Sequence, residues 1–580
     1  MTDDRTVRPD GLLSFDLTGQ PWLPVQFLDG GEREVSLRQA FGEAGRIRRL
    51  AGDLPTQDFA LTRLLLAIAH DALDGPADTE AWAELWEDGN AFARASDYLA
   101  EHRGRFDLLH PLTPFFQTPG LHTANHEVFS LNRIVADVPN GSPFFTTRFP
   151  GVARIGFAEA ARWVVHAQAF DTSGIKSGVV GDPRAKNGKA YPQGVAWAGN
   201  LGGVLAEGAT LRETLLLNLL AADHHPAPVD DRPAWRQPPT GPGASDDLAA
   251  RPAGLRDLYT WQSRRLLLHA DAEGVHGVVL TYGDPLAPHN AQHFEPMSAW
   301  RRSQAQEKKL GKPLVYMPRE HDPARAAWRG LEALIAPRDG RTASGGDPAS
   351  SLRPGVVEWL ARLSQEGCLP RRALVRLRTY GVRYGTQQSV VDELTHDAVA
   401  LAVVLLHEGN QALGQAAVDA VADADLAVRA LGDLANDLAE AAGSESEADR
   451  LEARDRGFGA LDEPYRRWLA DLHDTADPQT ARAVWQHTAR RVVGRLRDDL
   501  VATAGQAAWQ GRVVSRPKGD VWLNTASAEL SFNARLRKAL PLADTSEVSA
   551  GVPAQSTGSP GPGEPPCADP ADEDLRKASA

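Results

Sequence analysis

The sequence predicts an α+β protein. The expected parts are a mixed α/β N-terminal domain over residues 1–378, a C-terminal antiparallel helical (four-helix) bundle over 379–545, and a disordered tail over 546–580. Three observations carry that expectation. The first half alternates short apolar runs with turns rich in proline and glycine. Beyond about residue 390, apolar residues recur at spacings of three and four, the period of a buried helix face. The final stretch is rich in Pro, Gly, Ser and Asp and carries too little apolar surface to fold.

In chain order, Phe15 to Phe27 reads as two strands about a tight Gly19–Pro21 turn. Asp58 to Leu73 places Leu61, Leu64, Leu65 and Ile68 on one helical face, with Thr56 or Asp58 as cap. Ala81 to Leu99 reads as a second helix, and the prolines between Leu108 and Pro119 force an irregular loop. Pro139 to Pro150 is a loop whose aromatics either plug the domain's own core or offer stacking platforms to bases. Trp235 to Gly254 reads as a long surface loop, and Leu258–Leu268 and Gly277–Tyr282 as strands. Ala324 to Ile335 is a short helix, and Pro337 to Pro354 a linker-like segment. Arg371 to Arg383 alternates basic and apolar residues, as a strand with one cationic face would.

The bundle is expected to begin directly after a polar turn at Tyr384–Ser389. Val391, Leu394, Ala398, Leu401 and Leu405 form its first apolar seam, and Val421, Ala424, Val428, Leu431, Ala435 and Leu438 its second. A third helix is expected to start at Asp462-Glu-Pro464, a fourth to run from about Thr480 to Ala504, and a last from about Asn524 to Leu540. The last two carry Arg490, Arg491, Arg495, Arg535 and Arg537, which read as a solvated face or as phosphate contacts.

Composition narrows the function classes. Shares of 42% hydrophobic and 24% charged residues are ordinary for globular chains, and 580 residues give room for a sizeable core. No run approaches the length of a membrane span, and the N-terminus lacks a basic-then-apolar leader pattern. Two cysteines, Cys368 and Cys567, leave no disulfide framework or cysteine-rich zinc site, so a soluble cytoplasmic protein is expected. The formal net charge of −14 opposes indiscriminate nucleic-acid binding by the whole surface and leaves room for a local basic groove.

The most unusual stretch runs from Trp163 to Gly203. A helix-like segment breaks into a loop with glycines at 174, 178, 181, 188, 194, 199, 202 and 203 and lysines at 176, 186 and 189. Such a stretch is either flexible surface or a place where backbone N–H groups and lysines meet phosphates. Catalytic spacings are missing. Gly188-Lys189 lacks the rest of a phosphate-binding loop, and there is no Gly-x-Ser-x-Gly elbow and no His-Glu-x-x-His. His289 and His293 lack a third ligand, so no metal is expected. His396-Asp397, read on the first bundle helix, leaves a metal-dependent phosphohydrolase as the alternative function.

Several segments occur together in a fixed order: Phe15-Asp-Leu-Thr-Gly-Gln-Pro-Trp-Leu-Pro-Val25, His110-Pro-Leu-Thr-Pro-Phe-Phe-Gln-Thr118, Ile175-Lys-Ser-Gly178, Leu211-Arg-Glu-Thr-Leu-Leu-Leu-Asn-Leu-Leu220, Pro233-Ala-Trp235 and Tyr380-Gly-Val-Arg-Tyr-Gly-Thr-Gln-Gln-Ser389. In this the chain resembles the CasA family, the large subunit of the type I-E CRISPR Cascade surveillance complex, over roughly residues 11–542. The resemblance implies a subunit without enzymatic activity or cofactor that reads the protospacer-adjacent motif (PAM) on double-stranded target DNA. It implies help in starting strand separation and R-loop formation, and recruitment of the helicase–nuclease.

Carried over by position, the resemblance implies a glycine loop at Thr172–Gly178, with Gly174, Lys176, Ser177 and Gly178 facing DNA. It implies a glutamine wedge at Gln387, with Gln388 in the competing register and Thr386 beside it. A loop at Pro139–Pro150, with Phe144, Phe145 and Arg148, is implied to dock on the CRISPR RNA 5′ handle and other Cascade subunits. The family's lysine finger is a poor match: Trp261 to Trp300 contains no lysine, and Arg264 and Arg265, the nearest cations, do not register with it.

Overall fold

The structure is a computed structural model that describes residues 12–136, 151–226, 230–335, 348–444, 447–473, 476–516 and 519–544. The Phe144, Phe145 and Arg148 loop and the tail from 546 lie outside the described residues.

The N-terminal part opens with a small antiparallel sheet of β1 (Leu23–Phe27), β2 (Glu32–Val35) and β3 (Ile47–Leu50), with β1 central. Leu23, Val25 and Phe27 alternate inward, as the two-residue period of a strand requires. Behind it lies α1 (Pro55–Leu73), whose first-turn proline fits the place where an N–H has no helical partner. This helix is buried nearly all round, because it packs against α2 (Phe157–Phe170) and other elements on several sides.

After α2 come the two-residue strands β4 (Lys176–Ser177) and β5 (Lys189–Ala190), which pair into a short ribbon. Next are β6 (Gly203–Glu207) and the hairpin of β7 (Arg264–Asp271) with β8 (Gly274–Tyr282). The largest strand pairing joins β9 (Leu374–Tyr384) to β10 (Val391–Ala402), with β6 on the other edge of β9. Among the described residues the C-terminal part has four long helices: α3 (Gln411–Ala442), α4 (Ala448–Ala470), α5 (Pro478–Thr503) and α6 (Thr525–Ala539). Short connections make the first three antiparallel neighbours. A hairpin of β11 (Arg512–Arg516) and β12 (Gly519–Leu523) precedes α6. One continuous apolar core runs from Phe15 to Ala543 through both parts.

The α+β class, with a helical C-terminal region, is as expected; several elements differ. Residues 391–402 are a strand, not the first bundle helix. The three-and-four spacing there coincides with a two-residue pattern that buries Thr395, Val399 and Leu401, and pairing with β9 along the whole strand decides between them. The boundary expected at 378/379 therefore falls inside β9, and the long helices begin only at Gln411 with α3. The helix expected from Asp462 begins at Ala448 and continues through Pro464. Gly457, within it, lets α4 approach α3 closely. A Cβ there would lie 3.1 Å from the Val428 methyls. The helix expected over Ala81–Leu99 is two, Thr79–Glu87 and Ala93–Glu101, separated at Asp88-Gly89-Asn90. The strand expected from Leu258 starts at Arg264, after a helical turn over Leu255–Tyr259.

Candidate nucleic-acid interface

The site is built where α2 ends. Phe170 and Asp171 close the helix, and the chain turns through Gly174 at a φ of 106°, a conformation open to glycine and strained for other residues. The β9–β10 connection lies against this turn. The Ser173 N–H donates to the Gln388 carbonyl at 2.8 Å, and a Cβ on Gly174 would sit 3.5 Å from that of Ser389. Two segments more than two hundred residues apart thus form one surface.

Three side chains hold the glycine loop from behind. The Tyr282 hydroxyl donates to the Gly174 carbonyl at 2.5 Å, and the Tyr384 hydroxyl to the Phe170 carbonyl at 2.7 Å. Arg264 pairs with the Asp171 carboxylate and donates to the Thr172 carbonyl at 3.0 Å and the Gly194 carbonyl at 3.1 Å. Its guanidinium lies 4.9 Å from the Tyr282 ring centroid. Sequence reasoning did not identify the two tyrosines as parts of the site, since a tyrosine at a strand end carries no spacing signal, and it named Arg264 only as a cation near the missing lysine finger. A small cleft opens beside the loop, lined by Arg133, His166, Phe170, Asp171, Thr172 and Ser389 among others.

The residues expected to face DNA divide into two groups. Thr386, Gln387 and Gln388 are exposed at the tip of the turn. Gln387 and Gln388 stand at φ values of 55° and 56°, a left-handed conformation that costs about 1–2 kcal/mol per non-glycine residue. Strain of this kind concentrates at ligand-contacting positions. Lys176 behaves differently. Its side chain is only 9% exposed, and Nζ sits 2.6 Å from the Asp171 carboxylate. Burial, opposed by Asp171, brings its ammonium down to about 8. Lys176 therefore braces the loop from inside and is not presented outward. Ser177 accepts a hydrogen bond from Arg133 at 2.8 Å, and a Cβ on Gly178 would meet the backbone of Gly188 and Lys189 at 2.8 Å. Gly178 is required by the ribbon's own packing. Ser173 is buried, so its side chain does not stand in front of Gly174.

Neither Arg264 nor Arg265 is available to a groove, because both are buried. Arg265 lies 2.6 Å from Asp284. The cationic face of β9 is largely neutralised as well. Arg376 and Arg378 pair with Glu207 at 3.5 and 2.9 Å, and Arg383 with Glu393 at 3.0 Å. In the bundle, Arg490 pairs with Asp544, and Arg535 with Asp437 at 3.1 Å. Arg537 is exposed and donates to the Asn533 carbonyl at 3.4 Å. Arg491 and Arg495 are exposed with no ion-pair partner among the described residues.

His396 and Asp397 lie on β10 and are used structurally. His396 stacks on Tyr380 and meets Arg378 at 2.8 Å; partial burial and then Arg378 push its imidazole below the usual range. Asp397 accepts from the Ala327 N–H at 2.6 Å, and its two carboxylate oxygens lie 3.0 and 2.8 Å from Nη2 of Arg466. Burial alone would raise its carboxyl, yet these donors hold it below the usual carboxylate range. Among the described residues, no group of three or more His, Cys, Asp or Glu is placed to hold a metal ion. No helix among them is long and apolar enough to cross a membrane.

Comparison with known proteins gives concordant matches. The family model described as CRISPR-associated protein Cse1 matches residues 16–496. A Thermus thermophilus protein, described as CRISPR-associated protein CasA/Cse1, is 32% identical over 348 residues, 59% of this chain. That match spans 64% of the relative's own length. Among solved structures, Thermobifida fusca Cse1 is similar at 59% identity and a TM-score of 0.84, over 91% of this chain and 98% of that one. Cse1 from Acidimicrobium ferrooxidans is similar at 30% identity and a TM-score of 0.74, again over 91% of this chain and 98% of that one.

Proposed function

Because the chain belongs to the CRISPR-associated Cse1 (CasA) family, the large subunit of Cascade, we propose that it reads a PAM on double-stranded target DNA for a type I-E complex. The observation that carries the proposal is the bond from the Ser173 N–H to the Gln388 carbonyl, which joins the glycine loop to the glutamine turn. A backbone loop suits the minor groove, whose donor–acceptor pattern is nearly degenerate and admits several related motifs. Beside it, the exposed glutamines are long enough to enter a base step and carry both donors and acceptors for freed base edges. Opening that step costs a few kcal/mol, offset as guide RNA pairs onward to extend the R-loop.

In this reading the subunit has no catalytic step of its own. Its partners are the CRISPR RNA 5′ handle, the other Cascade subunits and the helicase–nuclease that follows target capture. Arg491, Arg495 and Arg537, exposed on the bundle, are the candidates for strand-backbone contacts, while Arg490 and Arg535 are engaged with acids. The test is binding of the reconstituted complex to a duplex library with a randomised motif. Gln387→Ala and Gln388→Ala together are expected to weaken binding about tenfold or more, roughly 1.4 kcal/mol. Unchanged affinity at matched salt would leave a docking scaffold without a DNA-reading role.

A further inference from the structure

The ribbon of β4 and β5 is absorbed by none of the roles above, although it continues directly from the glycine loop. Its register pairs Lys176 with Ala190 and Ser177 with Lys189. Lys176 and Ala190 face the protein, so by alternation Ile175 and Ser177 on one strand, and Lys189 and Tyr191 on the other, belong to the opposite face. Exposure agrees for three of these. Ile175 is 61% exposed, Tyr191 50%, and Lys189 is exposed as well.

The turn is well defined. Lys186 and Lys189 exchange backbone hydrogen bonds of 2.8 and 3.0 Å across Asn187 and Gly188, which stand at φ values of 52° and 70°, as a tight hairpin requires. The ribbon is also anchored. Arg184 donates to the carbonyls of Tyr282 and Gly283, both at 2.8 Å, and the Val180 N–H to the His122 carbonyl at 3.0 Å. Neither Lys186 nor Lys189 has an ion-pair partner among the described residues, in contrast to Lys176 and most arginines nearby. Two unneutralised ammonium groups on a braced ribbon, with an aromatic and an aliphatic side chain alongside, suit a nucleic-acid backbone: lysines to phosphates, apolar groups to sugars.

We propose that the outward face of this ribbon, with Lys186, Lys189, Tyr191 and Ile175, is a second contact on the target duplex that grips backbone phosphates beside the glycine loop. This rests on the reading of the loop and turn as a duplex-recognition surface. The ribbon sets position and affinity, and carries no sequence preference.

The test measures target-duplex affinity of the reconstituted complex across a salt series. Each lost phosphate contact removes about 0.9 from the slope of log affinity against log salt. Lys186→Ala with Lys189→Ala is expected to make that slope shallower by about 2, with motif preference in the randomised library unchanged. Lys186→Arg with Lys189→Arg keeps the charge and is expected to keep the wild-type slope. A double-alanine complex with the wild-type slope overturns the proposal. So does one that fails to assemble on the guide RNA, which would assign the ribbon to RNA. A shallower slope together with no effect at Gln387 overturns the glutamine-turn reading and leaves the ribbon contact standing.

Discussion

Two buried histidines, His166 beside the site and His70 at the far end of α1, are kept neutral by burial. His166 lies one turn before the end of α2, with its Nε2 2.9 Å from the Thr56 hydroxyl, and burial pushes its imidazole down to about 4. Burial, assisted by Arg256, pushes His70 down to about 3. The unfolded chain binds these protons at the ordinary value near 6.5, so the stabilising effect is present above that pH and is lost as pH falls towards 4. Each imidazole is expected to remove about 2 kcal/mol of stability between pH 7 and pH 5. Asp58, pushed up to about 6 by burial, works in the opposite sense and offsets part of the loss. Urea midpoints at the two pH values check this: His166→Gln, which keeps a partner for Thr56, is expected to lose less on acidification than wild type. At this scale the sequence was a partial guide. The glutamines were singled out only through a resemblance, and in the structure they stand exposed at the tip of the turn. The inward turn of Lys176 was not legible, because it depends on Asp171, Arg264 and Tyr282 meeting at one place in three dimensions.

The β9–β10 hairpin is the element that makes the candidate site. Its tip holds Gln387 and Gln388 in a conformation better suited to glycine. Gln387→Gly with Gln388→Gly relieves about 1–2 kcal/mol at each position, less the roughly 0.5–1 kcal/mol of extra backbone entropy each glycine loses on folding, so stability is expected to rise by a net of about 1–2 kcal/mol while duplex binding weakens about tenfold. Thermal unfolding and anisotropy on the same preparations check the two halves. A loss of stability would mean that the tip is not strained. This hairpin is also where helical periodicity misled. Val391 to Leu405 fits a helix seam, but β-branched Val391, Thr395 and Val399 fit a strand, and the pairing partner that decides is not visible within a local window. The bundle helices were legible where their seams were long, as along α3. Their ends were not, since Gly457 and Pro464 have the appearance of breakers until packing on α3 is known.

The two parts of the molecule are joined by specific contacts as well as by a shared core. Trp328, fully buried, stacks on Tyr465 at 4.4 Å between centroids and donates to Asp462 at 2.8 Å. Arg329 lies 3.4 Å over the Phe458 ring, and Arg466 reaches Asp397 on β10. Trp328→Ala is expected to cost about 3–5 kcal/mol and to split one calorimetric unfolding transition into two. A single transition at lowered temperature would show that the rest of the junction couples the parts without it. The overall division into a mixed part and a helical part was legible from composition and period. Its position was not, because β9 and β10 are completed by β6, a strand far earlier in the chain.

The bond between the glycine loop and the glutamine turn has a consequence for how such a protein diversifies. It is made by peptide groups at Ser173 and Gln388, so it is indifferent to which side chain stands at 388. Positions 387 and 388 are free to drift, or to be randomised in a library, among residue types that tolerate a left-handed backbone, while the frame that spaces them from the loop is inherited unchanged. On the proposed reading, the side chains that would meet a motif and the frame that spaces them are in this respect separately heritable.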